Sequence, residues 1–180
     1  ENYSSQKHTQ EEIKILWQFT LDAVREVKKN IKELNIQCDL IEGYVLAAVS
    51  KSHDDELKKY VDRLQTKFDY DSVTYLPKNR MDQYFDSPYY KSAMYDSECG
   101  QIHPLNYCLG LARELLKNQN CKIFEDTGVI SYESQKKVTI TTEKNLTVKS
   151  DKLIICCNAY IDNLNKSLRK KIMPVKTYVS

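Results

Sequence analysis

Four glycines punctuate this chain of 180 residues: Gly43, Gly100, Gly110 and Gly128. Neighbouring ones are at least ten positions apart. Glycine lets successive backbone N–H groups close around a phosphate at a helix start, because no side chain blocks the approach. Neither G-x-G-x-x-G nor G-x-x-x-x-G-K-[ST] can be written from these positions, so the sequence holds no phosphate-cradling loop. A nucleotide cofactor would need that loop from another segment. The length still allows one ordinary domain, or two small ones, with a real core. Apolar residues make up 41%, and 27 basic residues face 25 acidic ones, which argues against disorder. A net charge of +2 leaves no electrostatic footprint for nucleic acid or an anionic membrane. No apolar run approaches the ~20 residues of a membrane-spanning helix.

The six cysteines are too sparse for a disulfide-stapled scaffold and read as reduced thiols of a cytoplasmic protein. Three N-x-[ST] sequons, at Asn2, Asn145 and Asn165, are what chance gives in a chain rich in Asn, Ser and Thr. The first residue is Glu1 rather than Met, which suggests a piece or a processed product.

Local patterns place the elements. Thr9 and Glu12 form a capping box, followed by a stripe of Ile13, Trp17, Thr20, Val24, Val27, Ile31 and Leu34. A core-facing helix accounts for it, since about three heptads are short for a coiled coil. Residues 38–40 and 43–49 read as two strands around a turn at Glu42 and Gly43. Ser52 is the expected cap of a second helix, with Leu57, Tyr60, Val61, Leu64 and Phe68 on one face. A short helix is expected over 79–85, a strand over 90–95, and a hairpin turn over 96–100. Pro104 suits the first position of a third helix. Its stripe is Leu105, Cys108, Leu109, Ala112, Leu115 and Leu116, and Asn118 or Asn120 can end it in the left-handed conformation. Strands are expected at 122–125, 129–133, 138–142, 146–149, 153–157 (fully buried) and 173–179, with a loop or short helix over 158–166. The fold class is α+β, with helices packed on a largely antiparallel sheet.

No self-contained catalytic set appears. Cys99, His103 and Cys108 have metal-ligand types, but the spacing is loose, no fourth ligand follows, and Cys108 lies on an apolar helix face. We expect no metal. His103 at a helix start is better explained by a local backbone bond than as a general base. The acids Asp54, Asp55 and Glu56 sit in a first helical turn, where the macrodipole favours them, and Glu125 and Asp126 sit at a strand end. The basic run 169–171 is a solvated edge, and the thirteen tyrosines are largely packing residues.

Two stretches add to this reading. One is 96–112 (DSECGQIHPLNYCLGLA), with 121–129 (CKIFEDTGV) after it. The other is 151–160 (DKLIICCNAY), followed by 172–178 (IMPVKTY). In this order, and with Gly43, Tyr44 and the stretch 36–39 before them, they resemble the glycine/D-amino-acid oxidase family of FAD-dependent oxidoreductases. The likeness is greatest to its gamma-glutamylputrescine oxidoreductase subgroup. It runs from about Trp17 to Tyr178.

The resemblance implies an internal fragment of a two-domain flavoenzyme that oxidises a C–N bond of a small-molecule amine or amino acid. It implies a substrate-side portion with N-terminal helices over 1–100 and a returning segment of the FAD-binding domain over 101–165. A start of the return to the substrate-side sheet follows over 166–180. Cofactor contacts fall on Val129, through its backbone, and on Cys157, Asn158 and Ala159; family members often carry smaller residues where Cys157 and Asn158 stand. Catalytic residues are not assigned. The family's dinucleotide fingerprint would precede Glu1, so the chain alone is expected to bind no FAD tightly and oxidise nothing. The alternative is a non-catalytic remnant that self-associates through exposed sheet edges.

Overall fold

The structure, a computed structural model, describes residues 8–81, 83–84, 87–161 and 163–176. The backbone divides into two compact units, Glu1–Lys122 and Ile123–Ser180.

In the first unit the capping box forms as expected. Thr9 Oγ1 accepts from the Glu12 N–H at 3.2 Å, and the Glu12 carboxylate accepts from the Thr9 N–H at 2.7 Å. Helix α1 then runs over Gln10–Glu33. Its inward face is half-buried through Ile13, Trp17, Leu21, Val27 and Ile31, while Thr20 and Val24 of the expected stripe are exposed. Strand β1 (Ile41–Ala48) is one strand and not two, with Gly43 inside it rather than at a turn. Helix α2 (Lys51–Phe68) is capped by Ser50, whose hydroxyl accepts from the His53 N–H at 3.2 Å, so it begins before the expected Ser52. Asp69 ends it in the left-handed conformation, φ 51°. Strand β2 (Val73–Pro77) leads into a short helix α3 (Lys78–Met81), less than the expected 79–85, of which residues 82 and 85 lie outside the described set.

Strand β3 (Ser92–Gln101) is the central strand of an antiparallel sheet ordered β1-β3-β2. The expected hairpin turn over 96–100 is instead an irregularity within it. Tyr44 pairs with Asp96 and Glu42 with Gly100, so Ser97, Glu98 and Cys99 oppose the single residue Gly43. Gly43 has φ +94°, a conformation that side chains resist. Helix α4 (Pro104–Lys117) has Pro104 at its start, and His103 Nδ1 accepts from the Asn106 N–H at 3.3 Å, the local bond expected of it. Asn118 ends α4 in extended backbone rather than left-handed, with φ −84°. The α4 stripe is not a core face. Leu105, Leu109, Leu115, Leu116 and Cys108 are exposed, and buried Gly110 instead faces Ile36.

The sheet has two unequal faces. Ala48, Val73 and Met94 point to the side covered by α1 and α2, joining Leu57, Val61, Leu64 and Tyr70. Full burial of each such aliphatic side chain stabilises by about 1.5–3 kcal/mol. Leu76 and Ala93 point the other way, with Met81, Val45, Ala47, Tyr90 and Tyr95 around them.

The second unit carries an antiparallel sheet ordered β4-β5-β6, from Val129–Ser134, Val138–Thr142 and Thr147–Ser150. The hairpin tip between β5 and β6 uses Asn145 at φ 57°. Residues 122–125 form no strand, and Phe124 is 71% exposed. Residues 153–157 form no strand either. They alternate between half-buried and exposed, because no neighbouring strand is present among the described residues to bury both faces. A 3-10 turn (Asn158–Ile161) and a short helix α5 (Lys166–Arg169) follow. Residues 173–176 are not in a strand, and 177–179 of the expected last strand lie outside the described residues.

Candidate functional site

Val129 opens β4, an edge strand of its sheet, and is 43% exposed. Its position is set by a pair of bonds at the strand mouth. The Glu143 N–H donates to the Gly128 carbonyl at 2.8 Å, and the Gly128 N–H donates to Glu143 Oε1 at 3.2 Å. The register then shifts between Val129 and Ser131. An edge strand pairs on one side, so alternate N–H and C=O groups along it face away from the sheet.

Cys157, Asn158 and Ala159 share one turn. Asn158 has φ 48°, and the Cys157 carbonyl accepts from the Tyr160 N–H at 3.0 Å. Cys157 and Ala159 are half-buried, Asn158 exposed. No hydrogen bond among the described residues joins Val129 to this turn. Asn165 ties the following segment to β4: its amide donates to the Tyr132 hydroxyl at 2.8 Å, and its oxygen caps α5 at the Leu168 N–H, 3.0 Å.

In the first unit, two carboxylates hold the helix-covered face of the sheet. Asp54 of α2 accepts from Lys58 Nζ at 2.8 Å, Tyr75 hydroxyl at 2.5 Å and Ser92 hydroxyl at 2.5 Å. Those bonds, the Lys58 one first, hold its carboxyl down at about 2. The macrodipole reading of Asp54 thus missed its role, because Tyr75 and Ser92 are distant in sequence. Asp96 is buried at the β3 irregularity. Its Oδ1 accepts from the Tyr70 hydroxyl at 2.8 Å and from the N–H groups of Glu98 and Cys99 at 3.0 and 3.1 Å. Its Oδ2 accepts from Cys99 Sγ at 3.3 Å. Burial first, then the Asp96 bond and charge, pushes the Cys99 thiol up to about 11 and the Tyr70 phenol well above its ordinary range.

Asp54 gives a pH test. Its folded carboxyl is depressed below the unfolded value, so its contribution is complete above the unfolded value near 4 and is lost as pH falls toward 2. Lys58 is half exposed and its share is screened, which leaves about 1–2 kcal/mol. Urea unfolding of Asp54→Asn against wild type should show that gap at pH 7 and its shrinkage to about a third by pH 2.5. A gap independent of pH would assign the effect to packing.

Among the described residues no three or more His, Cys, Asp or Glu side chains are grouped to hold a metal, and all six cysteines are free thiols. No helix of the described residues is long and apolar enough to cross a membrane.

The arrangement is a mixed helix and antiparallel-sheet one, and its fold recurs in solved structures of other proteins. The crystal structure of L-proline dehydrogenase from P. horikoshii superposes with a TM-score of 0.67 at 17% identity, over 81% of this chain and 39% of that one. The sequence pattern of the FAD dependent oxidoreductase family, DAO, matches residues 3–180, and the chain belongs to that family. A probable oxidoreductase, OrdL, of Haemophilus influenzae is 32% identical over 169 residues, 91% of this chain and 39% of the relative. Gamma-glutamylputrescine oxidoreductase of Escherichia coli K12 is 25% identical over 154 residues, 85% of this chain and 35% of the relative. The chain thus spans less than two fifths of the length of these curated relatives.

The residues present fit part of an FAD envelope. The free edge of β4 at Val129 suits backbone reading of a purine edge, and the small side chains of Cys157 and Ala159 suit close approach. The pyrophosphate finds no cradle among the described residues of this unit, whose one α-helix has four residues.

Proposed function

We propose that the complete protein oxidises a C–N bond of an amine or amino acid, with gamma-glutamylputrescine as substrate, and that it works in the cytoplasm. The observation that carries this is the family match over residues 3–180, joined to an exposed edge strand at Val129. Likeness to gamma-glutamylputrescine oxidoreductase over 85% of the chain supports the substrate. FAD, when bound, supplies the acceptor for a hydride equivalent from the carbon bearing the nitrogen, and the resulting imine hydrolyses. Val129 offers its backbone to the adenine end, and Cys157, Asn158 and Ala159 admit the cofactor closely. Residues 1–100 serve the substrate side, 101–165 return through the FAD-binding domain, and 166–180 lead back. Asp54 and Asp96 keep the substrate-side sheet rigid under the reacting groups. Acting alone, the 180 residues retain no flavin.

Two samples test the reading. The full-length protein should show a stoichiometric flavin spectrum that bleaches anaerobically with gamma-glutamylputrescine and far more slowly with glycine or proline. The 180-residue chain should purify colourless. Flavin that no amine reduces would refute the reaction, and a yellow 180-residue chain would refute the claim about the fragment.

A further inference from the structure

Among the described residues one buried side-chain nitrogen or oxygen lacks a hydrogen-bond partner, the indole Nε1 of Trp17. A buried N–H ordinarily finds an acceptor. The neighbouring buried hydroxyls are matched: Tyr70 bonds Asp96, and Ser92 bonds Asp54. Trp17 also lines a cavity of about 570 Å³. The cavity lies between α1 and the link 69–72 that joins α2 to β2, with Glu98 of β3 also lining it. That size falls within the range of small-molecule sites, about 300–1,000 Å³.

The charges around the cavity do not balance. Four carboxylates line it, those of Glu11, Asp69, Asp71 and Glu98, against two cations, Lys14 and Arg25. Lys14 pairs with Asp69 at 3.9 Å, and Arg25 with Glu98 at 3.4 Å. Glu11 and Asp71 are left with no side-chain hydrogen bond or ion pair among the described residues. One wall is aromatic: the Trp17 ring centroid lies 5.2 Å from that of Phe68 and 5.5 Å from that of Tyr70. An indole face attracts cations. Two unpaired carboxylates and one unpaired N–H therefore belong to the walls of one space.

We propose that this cavity binds a basic amino acid carrying two ammonium groups. Those groups meet Glu11 and Asp71 beside the indole, and the ligand's carboxylate accepts from Trp17 Nε1. The orphan N–H decides the class. A simple diamine matches the two carboxylates but brings no acceptor, whereas a diamino acid brings both. On the α1 side the cavity is bordered by Lys14, Gln18 and Arg25, long exposed side chains that can shift as the ligand enters. The site goes beyond the amine-oxidoreductase reading and does not depend on it, since it uses no cofactor group.

Calorimetric titration of the full-length, flavin-loaded protein under anaerobic conditions tests this, with L-ornithine and putrescine as probes. L-Ornithine should bind about tenfold more tightly than putrescine, which lacks the carboxylate. Trp17→Phe keeps an aromatic ring and removes the N–H. It should weaken L-ornithine about tenfold and leave putrescine unchanged. Asp71→Asn removes an exposed charge that bonds nothing within the fold, so the melting temperature should hold. It should weaken both ligands about three- to fivefold. No heat from L-ornithine at millimolar concentration would overturn the proposal. So would equal losses of the two ligands in Trp17→Phe, or an unchanged Kd in Asp71→Asn. The Asp71→Asn titration and the comparison of ligands decide the matter even where Trp17→Phe folds poorly. A protein whose flavin no amine reduces would refute the oxidoreductase reading and leave this test intact.

Discussion

Replacing Asp96 with alanine is expected to cost about 3–5 kcal/mol of unfolding free energy, measured by urea denaturation at neutral pH. Asp96 is 6% exposed and collects four donors. Alanine leaves the Tyr70 hydroxyl and the N–H groups of Glu98 and Cys99 without their acceptor, and each buried donor so stranded costs about 1–3 kcal/mol. The loss is also architectural, because those two N–H groups are what curl β3 over Ser97–Cys99 opposite Gly43. A second readout separates loss of this carboxylate from general loosening. The Cys99 thiol stands at about 11 partly because Asp96 accepts from it. Its alkylation should therefore speed up in Asp96→Ala under native conditions, while that of exposed Cys108 and Cys156 stays constant. A variant as stable as wild type would mean that water reaches these donors and that Asp96 is not an organising residue.

This residue also shows what a sequence conveys and what it withholds. Asp96, Ser97, Glu98, Cys99 and Gly100 have turn chemistry, and that chemistry is realised: the Asp96 side chain bonds the backbone two and three residues on. Whether the chain then reverses or continues depends on the strand opposite, and β1 lies far away in sequence. Features closed within a few residues were legible for the same reason, such as the Thr9–Glu12 box, Pro104 opening α4 and the strand at Val138–Thr142. Features that need a distant partner were not. The stretch 153–157 is apolar enough for a buried strand and joins no sheet among the described residues. The leucines of α4 make a good stripe, yet the side of the helix that meets Ile36 is the one carrying Gly110. For the candidate site the divide is sharper. Val129 and residues 157–159 emerged through family likeness alone, since backbone contacts leave no mark in side-chain chemistry.

Gly110 is expected to be the least replaceable glycine of α4's surroundings, and valine there should cost at least about 3 kcal/mol. A Cβ at this position would lie 2.3 Å from Ile36 Cγ2 and 2.9 Å from Cγ1. Ile36 is itself 6% exposed, on the connection between α1 and β1, so it has little room to yield. Two effects oppose each other in Gly110→Ala. Alanine in a helix interior gains about 1 kcal/mol over glycine, whereas forcing a methyl into a packed contact costs about 1–3 kcal/mol. The clash should win in the wild-type background. With Ile36 shortened to alanine, the nearest remaining atom is its Cβ at 3.1 Å, and most of the clash disappears. Gly110→Ala should then turn from destabilising to neutral or stabilising. A double-mutant cycle by urea denaturation reads this as a coupling of about 1–3 kcal/mol. Equal losses in both backgrounds would mean that Gly110 is required for its backbone and not for the space it leaves to Ile36.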